Sequence, residues 1–501
     1  MICLSSNKNL QKMSRILTVF VWLSGVLLLS ISVDAQVWQW PSEPPPKPLP
    51  AREMTFPPYD VRTLSNGLQV VTVLQHEQPA VSIRLLVRAG SVDNPPDRPG
   101  VASFVASLLD RGTSTRSAEE IADTIDTIGG ALGTGSGSDL TFVNAVVMKD
   151  SFGLAMELIG DLVQNPAFAQ EEIDRQRQQV LSELQVSQSS PEYVANVVFD
   201  RLVYGFHPYG LPNRGTPNSL NAITRKDLEK FHHRHFMPNN MILALVGDLT
   251  HQEAFATTEQ VFGSWPEGTL PKKVSTQIPP PVRRVVVIDK PDAVQTEIRV
   301  GQLGIMRKHS DYMAVDMAFK ILGGEGANRL HRILRSERGL NYGASADVQA
   351  LKHAGLFMAE TDTRTEATGE VLGVILDEIN TLRREFVGVR ELADAQAYLA
   401  GNFPLTIETP DAIATRVINA LFYELPVKEI STFPQRMKAV TVDDIQRVAR
   451  TYIFPKQLSV VLVGRASGFL AQLSKVGFGE YEVIPIDELD FSSASLRLTS
   501  N

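Results

Sequence analysis

Three groups of side chains in this sequence are of types that do chemistry. His232-His233-Arg234-His235 is the densest run of metal-capable residues. No two of its imidazoles stand four residues apart, the separation that turns two rings toward one ion on a helix. The run also sits at a helix end before Pro238, so it reads as a solvated cluster. Gly323-Gly324-Glu325-Gly326 has the glycine density of a phosphate loop but lacks the closing Gly-Lys-Ser/Thr, which excludes that chemistry. Arg335 and Tyr342 stand seven apart, a guanidinium with a fixed fork of donors and a phenol with one more. No Gly-x-Ser-x-Gly elbow offers a serine nucleophile. The single cysteine, Cys3, lies upstream of an apolar run, so a processed chain carries no disulfide, cysteine nucleophile or thiolate metal site.

The elements that must position these groups read as a mixed fold. Val70–Val73, Val81–Val87 and Leu140–Val147 are rich in β-branched residues and read as strands. Ala118–Ile128, with Ile121, Ile125 and Ile128 on one face, reads as a helix stopped by Gly129-Gly130. Ser151–Val163 and Glu171–Val186 are further helices, the second with Ile173, Val180 and Leu184 on one stripe. The glycine-rich stretch from Gly129 to Asp139 reads as a flexible loop.

The chain repeats itself. Asp227, Pro238 and Gly247 match Asp444, Pro455 and Gly464 at a shift of 217 residues, and Ile83-Arg84 matches Ile298-Arg299 at a shift of 215. A near-constant shift over several blocks indicates an internal duplication. The expected fold class is α+β, two homologous α/β layer-sandwich repeats. The expected domains are 58–265 and 284–480, joined by a linker over 266–283 that contains Pro279-Pro280-Pro281, with a tail over 481–501. Residues 1–35 read as an export signal: Lys8, Lys12 and Arg15, the apolar run Ile16–Val33, then Val33-Asp34-Ala35 as cleavage site, with Met13 an alternative start. Left uncleaved, that run would anchor the chain in a membrane. Residues 36–57 form a proline-rich spacer. Among 501 residues the apolar fraction is 43%, the charged fraction 21% and the net charge −8, ordinary for a globular protein and adverse to nucleic-acid binding.

Gly100-Val-Ala-Ser-Phe-Val-Ala-Ser-Leu-Leu-Asp-Arg-Gly-Thr113 resembles the first helix of the pitrilysin/insulinase (inverzincin) zinc peptidases, which carry Gly-x-Ala-His-Phe-x-Glu-His followed by Gly-Thr. Gly100, Ala102, Phe104, Gly112 and Thr113 keep the register, while Ser103 and Ser107 stand at the histidine positions and Ala106 at the glutamate. Neutral hydroxyls are poor zinc ligands and alanine cannot act as a base. The resemblance implies a third ligand 76 residues after the second histidine position, which is Glu183, with Gln176 where a supporting glutamate is expected. It also implies a peptide-pairing strand where Gly133-Thr134 stand. Leu322 to Tyr342 resembles the family's second-half motif. This implies that Arg335 and Tyr342 orient substrate and steady an oxyanion, and that Gly323 and Gly324 touch substrate. His207-Pro208-Tyr209-Gly210 is also similar to the family.

Some small members of the family act as pairs of unlike subunits that close as a clam-shell. The expectation is therefore a non-catalytic subunit, exported and periplasmic, without a metal of its own. Its expected partner is a zinc-bearing subunit of the same family, and its substrate a peptide or unfolded polypeptide. The alternative is a catalytically dead scaffold or peptide-binding protein.

Overall fold

The computed structural model describes residues 56–271, 278, 280, 283–324 and 328–498. The signal, nearly all of the spacer, most of the linker and Glu325-Gly326 lie outside the described residues. The first half runs β1 (Tyr59–Thr63), β2 (Gln69–Leu74), β3 (Ala80–Val87), helices α1 (Val101–Leu108) and α2 (Ala118–Thr127), β4 (Ala131–Ser136) and β5 (Thr141–Met148). It continues through α3 (Phe152–Gln164), α4 (Gln170–Ser189), α5 (Pro191–Tyr204), α6 (Pro217–Ala222), α7 (Arg225–His235), β6 (Met241–Gly247) and α8 (His251–Phe262). The second half runs β7 (Val285–Asp289), β8 (Gln295–Gly304), α9 (Tyr312–Gly323), a π-helical segment His331–Glu337, β9 (Ala344–Ala350) and β10 (Gly355–Arg364). It ends with α10 (Thr368–Arg384), α11 (Val389–Asn402), α12 (Pro410–Phe422), α13 (Val442–Tyr452), β11 (Ser459–Gly464) and β12 (Glu482–Pro485).

Two six-stranded sheets result, ordered β1-β2-β6-β3-β5-β4 and β12-β7-β11-β8-β10-β9. The five strands β2, β6, β3, β5 and β4 recur as β7, β11, β8, β10 and β9 in the same spatial order, with β2–β6 and β7–β11 parallel. The fold is the expected pair of α+β repeats. The repeated residues have the same local work in each copy. Thr224–Asp227 and Thr441–Asp444 close capping boxes that satisfy the first free amides of α7 and α13. Gly247 and Gly464 end β6 and β11. The sheets differ at one edge: β1 lies antiparallel on β2, while β12 lies parallel on β7. Residues 482–485 are thus a strand, where a tail was expected. The glycine-rich stretch is also ordered as β4, because β5 supplies a full antiparallel ladder over Ala131–Ser136 that low strand propensity does not forbid.

The central strands of each sheet are buried on both faces, and each half covers one face of the other half's central strands. Met241, Leu243 and Leu245 of β6 join the core under the first half's own helices. Ile242, Ala244 and Val246 instead pack with Ile413, Val417 and Phe422 of α12. Reciprocally, Val198, Phe199 and Leu202 of α5 pack on Val286 of β7 and Val461 and Val463 of β11. The duplicated Ile-Arg pair serves this exchange. Ile83 and Ile298 point into the home cores. Arg84 reaches over to Asp411 in the first turn of α12 at 2.9 Å, and Arg299 to Asn196 of α5 at 2.7 Å. Arg299 is also held by Glu297 at 3.0 Å, which offsets the cost of burying its charge.

The histidine run proves to be structural. His232 bonds the carbonyl of Val163 at 2.8 Å, and His235 is buried against Phe231. The solvated-cluster expectation fails because α7 turns these two rings inward while His233 and Arg234 stay exposed. Burial lowers both pKa values from 6.5 to about 4. A histidine whose pKa is depressed on folding contributes stability that is present above 6.5 and lost as pH falls toward 4, because the unfolded chain binds the proton first. Relative to a His235→Asn variant, the parent should lose up to about 1.4 kcal/mol per pH unit across that window. Urea unfolding of both chains at pH 7, 6 and 5 measures it, and a pH-independent difference would refute it.

Candidate functional site

Helix α1 begins at Gly100, whose φ is +100°, a left-handed value that glycine adopts without strain. A Cβ there would meet the Arg214 carbonyl at 2.8 Å, and a Cβ on Gly215 (φ +80°) would meet the Pro99 carbonyl at 2.5 Å. These two glycines let the loop before α6 sit directly on the start of α1. Helix α4 flanks the same place, fixed by Arg177, which donates to the carbonyls of Leu220 and Ile223 at 3.1 and 2.8 Å.

Ser103 and Ser107 from α1, Gln176 and Glu183 from α4, and Arg214 line one small cavity of about 70 Å³. The structure thus brings together three of the four sequence-derived zinc-site positions. Ala106 is fully buried and does not line it. The Ser107 hydroxyl donates to the Phe104 carbonyl at 2.9 Å. Glu183 accepts from Gln179 at 3.0 Å and from Arg214 at 2.7 Å. A zinc ion would find two hydroxyls, an amide and one carboxylate already engaged by a cation. These residues do not fit zinc, which takes imidazole, thiolate or free carboxylate. Among the described residues, no group of three or more His, Cys, Asp or Glu side chains could hold a metal elsewhere. Arg214 is the residue that sequence reasoning missed. It comes from a loop with no helical register to either α1 or α4, and its only signal is the adjoining Gly215.

Arg335 and Tyr342 lie in the second half. Arg335 is exposed on the π-helical segment, its guanidinium 3.3 Å from the His331 ring. Helical segments of this kind recur at functional sites. Tyr342 is 84% exposed. Its loop is nonetheless pinned: Leu340 is buried, and Asn341 donates to Thr361 at 2.6 Å and to the Gly343 carbonyl at 3.0 Å. Neither Arg335 nor Tyr342 lines the Ser103–Glu183 cavity. Gly323 and Gly324 are both buried. A Cβ on Gly323 would run into Ala346 of β9 and one on Gly324 into Lys320, so both glycines serve close packing. His207-Pro208-Tyr209-Gly210 is a junction between halves. The His207 ring accepts from the Tyr209 amide, the Tyr209 hydroxyl donates to Asp139, and Asp139 accepts the Lys352 amide at 3.0 Å. Among the described residues, no helix is long and apolar enough to cross a membrane.

The family model described as Insulinase (Peptidase family M16) matches residues 69–215, and that described as Peptidase M16 inactive domain matches 222–399. The chain belongs to the pitrilysin/insulinase peptidase family. The first model lies within the first repeat, while the second begins at the end of α6, takes in α7, β6 and α8 of the first repeat and runs on into α11 of the second. An uncharacterized zinc protease of Mycobacterium leprae is 28% identical over 409 residues, 81% of this chain and 92% of that protein. Another, from Bacillus subtilis, is 21% identical over 80% of this chain and 97% of its own length. The crystal structure of a peptidase M16 inactive domain from Pseudomonas fluorescens superposes with a TM-score of 0.77 at 27% identity, covering 81% of this chain and 98% of that one. A protease from Helicobacter pylori shares the fold, with a TM-score of 0.75 at 22% identity over 81% of this chain and all of that one. At the positions where the resemblance implies the family's zinc helix, this chain carries Ser103, Ala106 and Ser107.

Proposed function

We propose that this chain is the non-catalytic subunit of a periplasmic zinc metallopeptidase heterodimer, acting on peptides or unfolded polypeptides. In this reading a zinc-bearing chain of the same family closes against it as the other half of a clam-shell. Arg335 orients the substrate backbone and Tyr342 donates to the carbonyl oxygen as it gains charge, while the partner's metal supplies the activated water. The observation that carries the reading is the contrast within one chain. The cavity of Ser103, Ser107 and Glu183 is unsuited to zinc, yet Arg335 and Tyr342 stand exposed on a well-packed scaffold.

Affinity purification of the full chain from its native host tests it. The expected companion is one M16 chain with an intact His-x-x-Glu-His helix, and the pair cleaves a quenched peptide while this chain alone does not. A companion-free chain, or a pair without zinc-dependent cleavage, overturns the proposal in favour of a scaffold. The same preparation carries a second expectation. Metal analysis of the isolated chain should give far less than one zinc per molecule, and one tightly held zinc per chain would contradict it.

A further inference from the structure

We propose that Arg214 has taken the electrostatic place of the metal, and that its pairing with Glu183 keeps divalent cations out independently of the missing histidines. The inference concerns this chain alone and stands or falls apart from the partner reading.

Glu183 is the one anionic group in the cavity formed by α1 and α4. A lone carboxylate facing two hydroxyls attracts a cation, and here the cation is covalently part of the chain. The Arg214 guanidinium lies 2.7 Å from one Glu183 oxygen, while Gln179 holds the other at 3.0 Å. The backbone that delivers Arg214 is fixed on both sides. Gly215 donates to the Pro212 carbonyl at 2.8 Å, and Thr216 caps α6 through Ser219. Gly100 and Gly215 allow the close approach that a Cβ on either would block with a backbone clash.

The pair is about half exposed, with side-chain accessibilities of 56% for Arg214 and 42% for Glu183. Such pairs add little to folding stability. Their consequence lies in occupancy. A divalent ion reaching Glu183 must displace the guanidinium and then remain beside its positive charge, an unfavourable like-charge contact at short range.

The test restores the ligands and varies Arg214. Full-length chains carrying Ser103→His, Ala106→Glu and Ser107→His are prepared with Arg214 intact, with Arg214→Ala and with Arg214→Lys. Zinc affinity is read by competition with a chromogenic chelator and stoichiometry by metal analysis, with circular dichroism to check folding. Arg214→Gln substitutes if the alanine variant is unfolded. The Arg214→Ala graft should bind one zinc about 10–100-fold more tightly than the graft retaining Arg214, the range typical of groups that act on a metal through its ligands. The Arg214→Lys graft, which keeps the charge, should stay with the weak binder. Equal affinity in the arginine and alanine grafts overturns the proposal. So does failure of every folded graft to bind, since an obstacle other than Arg214 would then exclude the ion.

Discussion

Replacing Arg335 by Ala, or Tyr342 by Phe, should lower peptide turnover by the assembled pair about 10²–10³-fold. In the proposed mechanism Arg335 orients the substrate backbone and Tyr342 donates to an oxygen whose negative charge grows in the transition state, and loss of one such donor costs roughly 2.7–4 kcal/mol. The structure makes the substitutions clean. Both side chains are exposed, and the neighbouring loop is held by Leu340, Asn341 and Thr361, so neither change opens a core. Zinc content and assembly of the pair should therefore remain as in the parent. Steady-state cleavage of a quenched peptide, with size-exclusion chromatography of each variant pair, measures the effect. Unchanged turnover in both variants defeats the shared-site mechanism. Lost turnover caused only by dissociation makes the two residues structural.

A chain ending at residue 271 should fail to fold on its own, although it contains a complete repeat by sequence. Without α12, Val71, Val73, Leu86, Ile242 and Val246 lose their cover. At about 1.5–3 kcal/mol for each buried aliphatic side chain, the loss is on the order of 10 kcal/mol. That is as large as the whole stability of a typical domain, about 5–15 kcal/mol. Helix α5 would also expose Val198, Phe199 and Leu202, which pack on β7 and β11. Expressed alone, 56–271 should be insoluble or lack a cooperative thermal transition, and co-expression with 283–498 should restore a soluble complex. A cooperatively melting isolated half would show that the exchanged helix is dispensable.

Much of the fold was legible because its signals are local. The capping boxes at Thr224 and Thr441 are four-residue patterns that act within one helical turn. The apolar runs that became β6 and β11 are continuous because those strands are buried on both faces, a feature readable without knowing what covers them. Glu183 could be found by counting 76 residues on from Ser107, the spacing that the family resemblance implies, and the two line one cavity. The glycine-rich β4 was misread for the opposite reason. Gly133 and Gly135 disfavour a strand, and the ladder to β5 orders them.

The sequence by itself determined the duplication, the family resemblance and the absence of zinc-helix ligands at Ser103, Ala106 and Ser107. These are matters of residue identity and spacing along the chain. The tertiary structure alone decided that α5 and α12 exchange sheets, that His232 and His235 turn inward, that residues 482–485 complete the second sheet, and that Arg214 reaches Glu183. In each case the interacting residues are far apart in sequence or meet through an irregular loop. Helical and strand periodicity fixes which face of an element is apolar, but not which distant surface that face will meet.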